Sequence, residues 1–104
     1  MQEIISIKTQ GRSMIDITHE VEKLVAHSGL DVGLCNLFIQ HTSASLILCE
    51  NADPDVRTDL ENFMQQIVKD GDALFRHTAE GADDMPAHIR SVLTSSSLTI
   101  PIAD

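Results

Sequence analysis

The 104 residues carry 16 Asp and Glu against 7 Lys and Arg, a formal net charge of −9. Phosphate backbones are neutralised by Lys and Arg, so this balance argues against a nucleic-acid partner. With 42% apolar residues the chain is globular rather than disordered. Its length fits one domain spanning 1–104 with a modest core. No apolar run approaches a membrane span, and no basic-then-apolar secretory leader opens the chain. Both readings point to a cytoplasmic protein with no membrane partner.

Residues 3–9 alternate after Ile4 and read as a strand, and Met14–Ile17 as a second short one. Thr18 offers an N-cap to a helix whose apolar stripe is Val21, Leu24 and Val25. That helix stops near Ser28-Gly29, where glycine takes the left-handed position cheaply. Val32–Ile39 is too continuously apolar for an exposed strand and reads as central, with Ser45–Glu50 as its neighbour. Asp53-Pro54 is a strong helix start. Val56, Leu60, Phe63, Met64, Ile67 and Val68 follow on one helical face, and Asp70-Gly71-Asp72 ends it. Asp83-Asp84-Met85-Pro86 starts a shorter helix with Ile89, Val92 and Leu93 facing inward. Leu98, Ile100 and Ile102 alternate as a last strand. This mixed order predicts an α+β domain with a mainly antiparallel sheet. Cys35 and Cys49 both lie in apolar stretches and read as reduced core thiols, although a hairpin turning at Thr42–Ala44 would also set them opposite each other.

Two polar segments interrupt these elements. The first is Gln40-His41-Thr42-Ser43-Ala44-Ser45-Leu46. The second runs from Arg76 to His88 and holds His77, Glu80, Asp83 and Asp84. His41, His77 and His88 form a candidate metal set, since neutral imidazole is a preferred nitrogen ligand of zinc and catalytic zinc commonly has three protein ligands. No HExxH pairing supports them, and scattered histidines are also ordinary surface or capping residues. Thr42, Ser43, Glu80 and Asp84 lie beside them as partners able to fix an imidazole's tautomer. Asp84 reads equally as a helix cap and as a ligand or general base. Glu50-Asn51 could reach the same turn, or be no more than a polar strand exit. Arg57 and Arg90 read as surface ion-pair partners or as phosphate binders. Ser43 and Ser45 sit in no nucleophile elbow, so they read as hydrogen-bonding groups. Between residues 50 and 84, ten acidic residues face three basic ones. Such a stretch is a solvated face or a rim that attracts divalent cations.

These segments resemble the signatures of the YjbQ family, also described as secondary thiamine-phosphate synthase enzymes. Residues Gln40–Leu46 resemble its first signature, Glu50–Arg57 with Asp59 its second, and Glu80–Ile89 its third. The resemblance implies an α+β domain with a β-sandwich-like core, two or three flanking helices and assembly as a homotrimer. It also implies a site around His41, His77 and His88 holding a divalent metal, zinc first and magnesium second. The activity it implies is joining a pyrimidine diphosphate to a thiazole phosphate with release of pyrophosphate. On this reading Asp84 and Glu80 are catalytic, and Thr42, Ser43, Ser45, Asn51 and Arg57 hold a small phosphorylated metabolite. The alternative is a non-catalytic trimeric metal- or metabolite-binding protein. The chain departs from the pattern in two places. Cys49 stands where the family usually has asparagine, and the pattern continues past Asp104 with a closing segment of two strands that this sequence lacks.

Overall fold

In the computed structural model, described over Met1–Ala103, three helices and two strands follow one another as α1 (Thr18–Ser28), β1 (Gly33–Phe38), α2 (Pro54–Ile67), α3 (Asp84–Leu93) and β2 (Ser97–Ile102). The helix ends follow local chemistry. At α1, Thr18 is the first helical residue rather than the cap, and its N–H is taken by the Asp16 carboxylate two residues earlier (2.9 Å). Gly29 closes α1 in the left-handed region, φ 74°, where a side chain would be strained. At α2, Asp53 accepts the N–H of Asp55 (2.9 Å) and Pro54 occupies the first turn, as the sequence predicts. The helix ends at Ile67, and Val68, which follows it, is buried, as is Pro86 further along the chain.

The two strands pair antiparallel from Gly33↔Ile102 to Phe38↔Ser97. Cys35, Leu37, Leu98 and Ile100 share the better-covered face, while Leu34, Asn36 and Phe38 face outward. On that outer face the Asn36 amide donates to the Thr99 hydroxyl (2.9 Å), a polar cross-strand tie. The fold is α+β, but its sheet has only these two strands and no sandwich forms. Three expected strands are missing. Residues 3–9 and Met14–Ile17 are irregular, and Ser45–Glu50 makes only the single bridge Leu46↔Ser95. The neighbour of β1 is β2, whose paired residues lie 59 to 69 positions further along the chain, and not the adjacent segment. Alternation gives a segment strand character only when an edge is available to pair with it.

The helical faces are covered less than their periodicity suggests. On α2, Val56, Leu60 and Met64 are half-buried, but Phe63 and Ile67 are exposed. On α3, Val92 and Leu93 point to solvent and Pro86 is buried instead. Both cysteines are free, Cys35 half-buried and Cys49 exposed, so the latter is not a core thiol. The accessible surface of 8067 Å² exceeds the roughly 5,800 Å² expected of a compact monomer of this mass. The radius of gyration, 15.8 Å, likewise exceeds the roughly 13 Å of a compact chain of this length. No helix among the described residues is long and apolar enough to cross a membrane.

Candidate functional site

The first turn of α3 builds the site. Asp83 occupies the cap position without a side-chain cap bond, so Asp84 is already helical. Its carboxylate does not cap the helix but turns to two histidines. Asp84 Oδ2 lies 2.7 Å from His77 Nε2 and 3.1 Å from His88 Nε2. His88 follows Asp84 by four residues, one helical turn, which puts both on one face. His77 comes from the loop between α2 and α3, which is pinned where Gly71 donates to the Ala82 carbonyl (2.9 Å). The two imidazoles meet edge to face, centroids 5.6 Å apart.

Ring tautomers follow from the partners. His88 Nδ1 lies 2.9 Å from the Thr42 carbonyl, which can only accept, so that nitrogen carries a proton. In the neutral ring the Nε2 lone pair then faces the Asp84 carboxylate. Two electron-rich atoms at 3.1 Å need a proton or a cation between them. Ligand atoms of His77, Asp84 and His88 all lie within 4.8 Å of one another. Ligand atoms around a tetrahedral zinc ion lie about 3.3 Å apart, given bonds near 2.0 Å. The Thr42 carbonyl on the far nitrogen of His88 is the kind of outer partner that orients a metal-binding imidazole. The hydrogen bond from His77 is the main influence holding the Asp84 carboxyl below its ordinary range. Desolvation opposes it, and the charge of His88 adds to it.

The other residues singled out in the sequence divide into three groups. Glu80 stands at the margin, its Oε2 3.9 Å from His77 Nε2 and its side chain mostly exposed. The His41–Leu46 segment lies along α3. The Thr42 carbonyl accepts from His88 and from the Ser91 hydroxyl (2.8 Å), and the Ser45 and Thr94 hydroxyls bond to each other. His41 itself is outside the ligand cluster. Its Nδ1 accepts the N–H of Ser43 (3.0 Å) and contacts the Ser43 hydroxyl (2.9 Å), which turns that lone pair inward. Asn51 and Arg57 are drawn elsewhere, toward Asp16: the Asn51 amide donates to Asp16, and Arg57 helps to lower the Asp16 pKa. Arg57 lines a separate open hollow of about 330 Å³ with Met14, Pro54 and Glu61.

A smaller hollow, about 210 Å³, opens beside His77 between Gly71, Asp72, Phe75, Thr78 and Ala82. Neither Phe75 nor Gly71 is recognisable from local sequence as a lining residue. Their contribution depends on a loop closure made by backbone hydrogen bonds, which no side-chain pattern reports.

Comparison with known proteins bears on the whole chain. The family model described as UPF0047 protein YjbQ-like matches residues 3–104. The chain belongs to this family. Among its relatives, UPF0047 protein sll1880 of Synechocystis sp. is 53% identical over 99% of this chain and 70% of its own. UPF0047 protein YjbQ of Escherichia coli O157:H7 is 40% identical over 97% of this chain and 73% of its own. A crystal structure of an uncharacterised YjbQ/UPF0047 protein from Clostridium acetobutylicum superposes with a TM-score of 0.76 at 37% identity. It covers 86% of this chain and 66% of that one. The hypothetical protein APE1520 of Aeropyrum pernix gives 0.75 at 26% identity, over 86% of this chain and 64% of that one. This chain therefore spans about two thirds of the length of these solved chains.

Proposed function

We propose that this UPF0047 chain is a metal-dependent enzyme acting on a small phosphorylated metabolite, with His77, Asp84 and His88 as the ligands. The observation that carries the reading is the convergence of two imidazole nitrogens and one carboxylate oxygen, with the His88 tautomer fixed by Thr42. Two nitrogens and one oxygen suit zinc. They suit magnesium poorly, because it prefers oxygen ligands in octahedral geometry. His41, with its Nδ1 committed to Ser43, is left out of the ligand set. A bound metal would supply Lewis-acid neutralisation of charge on a departing pyrophosphate, which this acidic surface does not offer by itself.

The reaction proposed is the one implied by the family resemblance: a pyrimidine diphosphate and a thiazole phosphate are joined and pyrophosphate leaves. In that scheme a carbon–nitrogen bond to the thiazole forms as the carbon–oxygen bond to pyrophosphate breaks. Glu80, near His77 and open to solvent, helps to orient that imidazole, and Asp84 holds both imidazoles. Thr42, Ser43 and Ser45 offer hydroxyls on the flank of α3. Assembly as a homotrimer is part of the proposal. It is supported by the excess of exposed surface and by Leu34, Phe38, Leu48 and Val92, each at least 65% exposed.

A second reading, a non-catalytic metal- or metabolite-binding module, is favoured by one observation. His77 is 43% exposed, and catalysis of charge transfer benefits from a site closed to water.

The test is elemental analysis of the purified chain beside His77→Ala and His88→Ala, followed by an assay for pyrophosphate release. Near-stoichiometric zinc that both variants lose, with turnover that follows the metal, is the expected result. Metal without turnover on these substrates selects the binding module. Zinc absent after supplementation overturns both metal readings.

A further inference from the structure

We infer that Arg90 is a positioning residue that fixes the rotation of α3 and, through it, the geometry at which Asp84 and His88 meet His77; this rests on the metal reading above. The helix has two working faces. Asp84, His88 and Ser91 recur at one-turn spacing and look toward His77 and Thr42. Pro86 and Arg90, also one turn apart, are turned to the protein interior. From there the Arg90 guanidinium donates through Nη2 to the Val68 carbonyl (2.9 Å) and stands 3.7 Å from the Asp70 carboxylate. Asp70 in turn meets Arg12 at 3.4 Å, and Arg12 Nε pairs with Glu61 of α2.

Apolar packing is too sparse to set this rotation. Within α3 only Pro86 is buried. A turn of 10° about the helix axis moves a side-chain tip by about 1 Å, whereas metal–ligand distances hold to about 0.2 Å. Directional polar anchors therefore set it: Ser91 and Thr94 tie the helix to Thr42 and Ser45 on one side, and Arg90, only 14% exposed, ties it on the other. The clasp acts on both halves of the cluster. It holds the helix that bears Asp84 and His88, and it grips residues 68–70, where the loop to His77 begins. Arg90 Nε is buried with no partner among the described residues, a cost that simple ion pairing at the surface would not incur. Lysine keeps the charge but lacks the planar fork that fixes direction.

The test measures zinc affinity by chelator competition and the visible absorption of the cobalt(II)-loaded chain. It compares wild type, Arg90→Lys, Arg90→Met and Asp70→Asn, with circular dichroism as the folding control. The expected result is a loss of zinc affinity of about tenfold or more for the folded Arg90 variants. An altered cobalt spectrum accompanies it, with a smaller change in the same direction for Asp70→Asn. Wild-type affinity and spectrum in folded Arg90 variants overturn the inference and leave the metal reading intact. If neither Arg90 variant folds, an unchanged Asp70→Asn overturns it. A wild-type chain that binds neither metal overturns the metal reading, and this inference with it.

Discussion

Asp84 Oδ2 lies 3.1 Å from Nε2 of His88, while the opposite nitrogen of the same ring gives its proton to the Thr42 carbonyl. On the proposed metal reading, a cation takes the place of the proton that this contact otherwise needs. Replacing Asp84 with Asn keeps the shape but removes the negative charge that offsets a divalent ion. Asp84→Asn is therefore expected to weaken zinc binding by at least about tenfold and to leave the far-ultraviolet circular dichroism unchanged. Chelator competition reads the first and the spectrum reads the second. Undiminished affinity would remove Asp84 from the ligand set.

His41 and His77 are expected to part company. His41 turns its Nδ1 lone pair to Ser43, whereas His77 turns Nε2 to Asp84. His41→Ala should retain its zinc and His77→Ala should lose it. Metal analysis of the two variants side by side decides the point, and loss in both would return His41 to the ligand set.

The sequence reached this site unevenly, for identifiable reasons. The polar segments drew attention to His41, His77 and His88 as candidate ligands and to Asp84 beside them, but the one-turn spacing that sets Asp84 against His88 went unread, and His41 lies outside the cluster that the fold brings together. The helices were legible from capping and periodicity: Asp53-Pro54 starts α2 and Gly29 ends α1. The sheet was not. Residues 3–9 alternate as well as those of β2 do, but strand formation needs an edge, and pairing between residues 59 to 69 positions apart leaves no trace in local pattern. Burial was over-read for the same reason. Val92 falls on an apolar stripe and still faces solvent, because nothing among the described residues covers it.

Asp16 gives the acid limb of stability a specific contributor. Thr18, through its hydroxyl and backbone N–H, holds the Asp16 carboxyl below its ordinary 3.8, and Asn51 and Arg57 add to the effect. The folded state therefore binds this proton less tightly than the unfolded chain. The contribution is complete above the unfolded value and disappears as pH falls through the lowered folded one. Asp16→Asn should lose stability at neutral pH and show a shallower decline below pH 3.8. Thermal melts from pH 2 to 6 measure this, and parallel acid limbs in the two chains would contradict it.

The two aspartates preceding α2 and α3 should differ in worth. Asp53 accepts a backbone N–H and Asp83 accepts none through its side chain. Asp53→Ala should cost about 1 kcal/mol of stability, whereas Asp83→Ala should stay within about 0.5 kcal/mol of wild type. Urea titration of both variants gives the comparison. Equal losses would mean that capping does not explain the start of α2.

Self-association provides the last prediction. The exposed face of β1 offers Leu34 and Phe38, 70% and 65% exposed, on either side of Asn36. The surface of this one chain in excess of a compact monomer, about 2,300 Å², is larger than the roughly 800 Å² that each partner contributes to a standard protein–protein interface. A chain with so little buried apolar area of its own gains most by covering this face with another copy. Sedimentation of the wild-type chain should give a trimer, and its melting temperature should rise with protein concentration. Phe38→Arg places a charge where an apolar contact would be sealed, and should shift the distribution to monomer with a lower melting temperature. The outer face of β1 is not the association surface if Phe38→Arg sediments as wild type does. A wild-type monomer with a concentration-independent melting temperature would show that the exposed surface has no partner in a second copy.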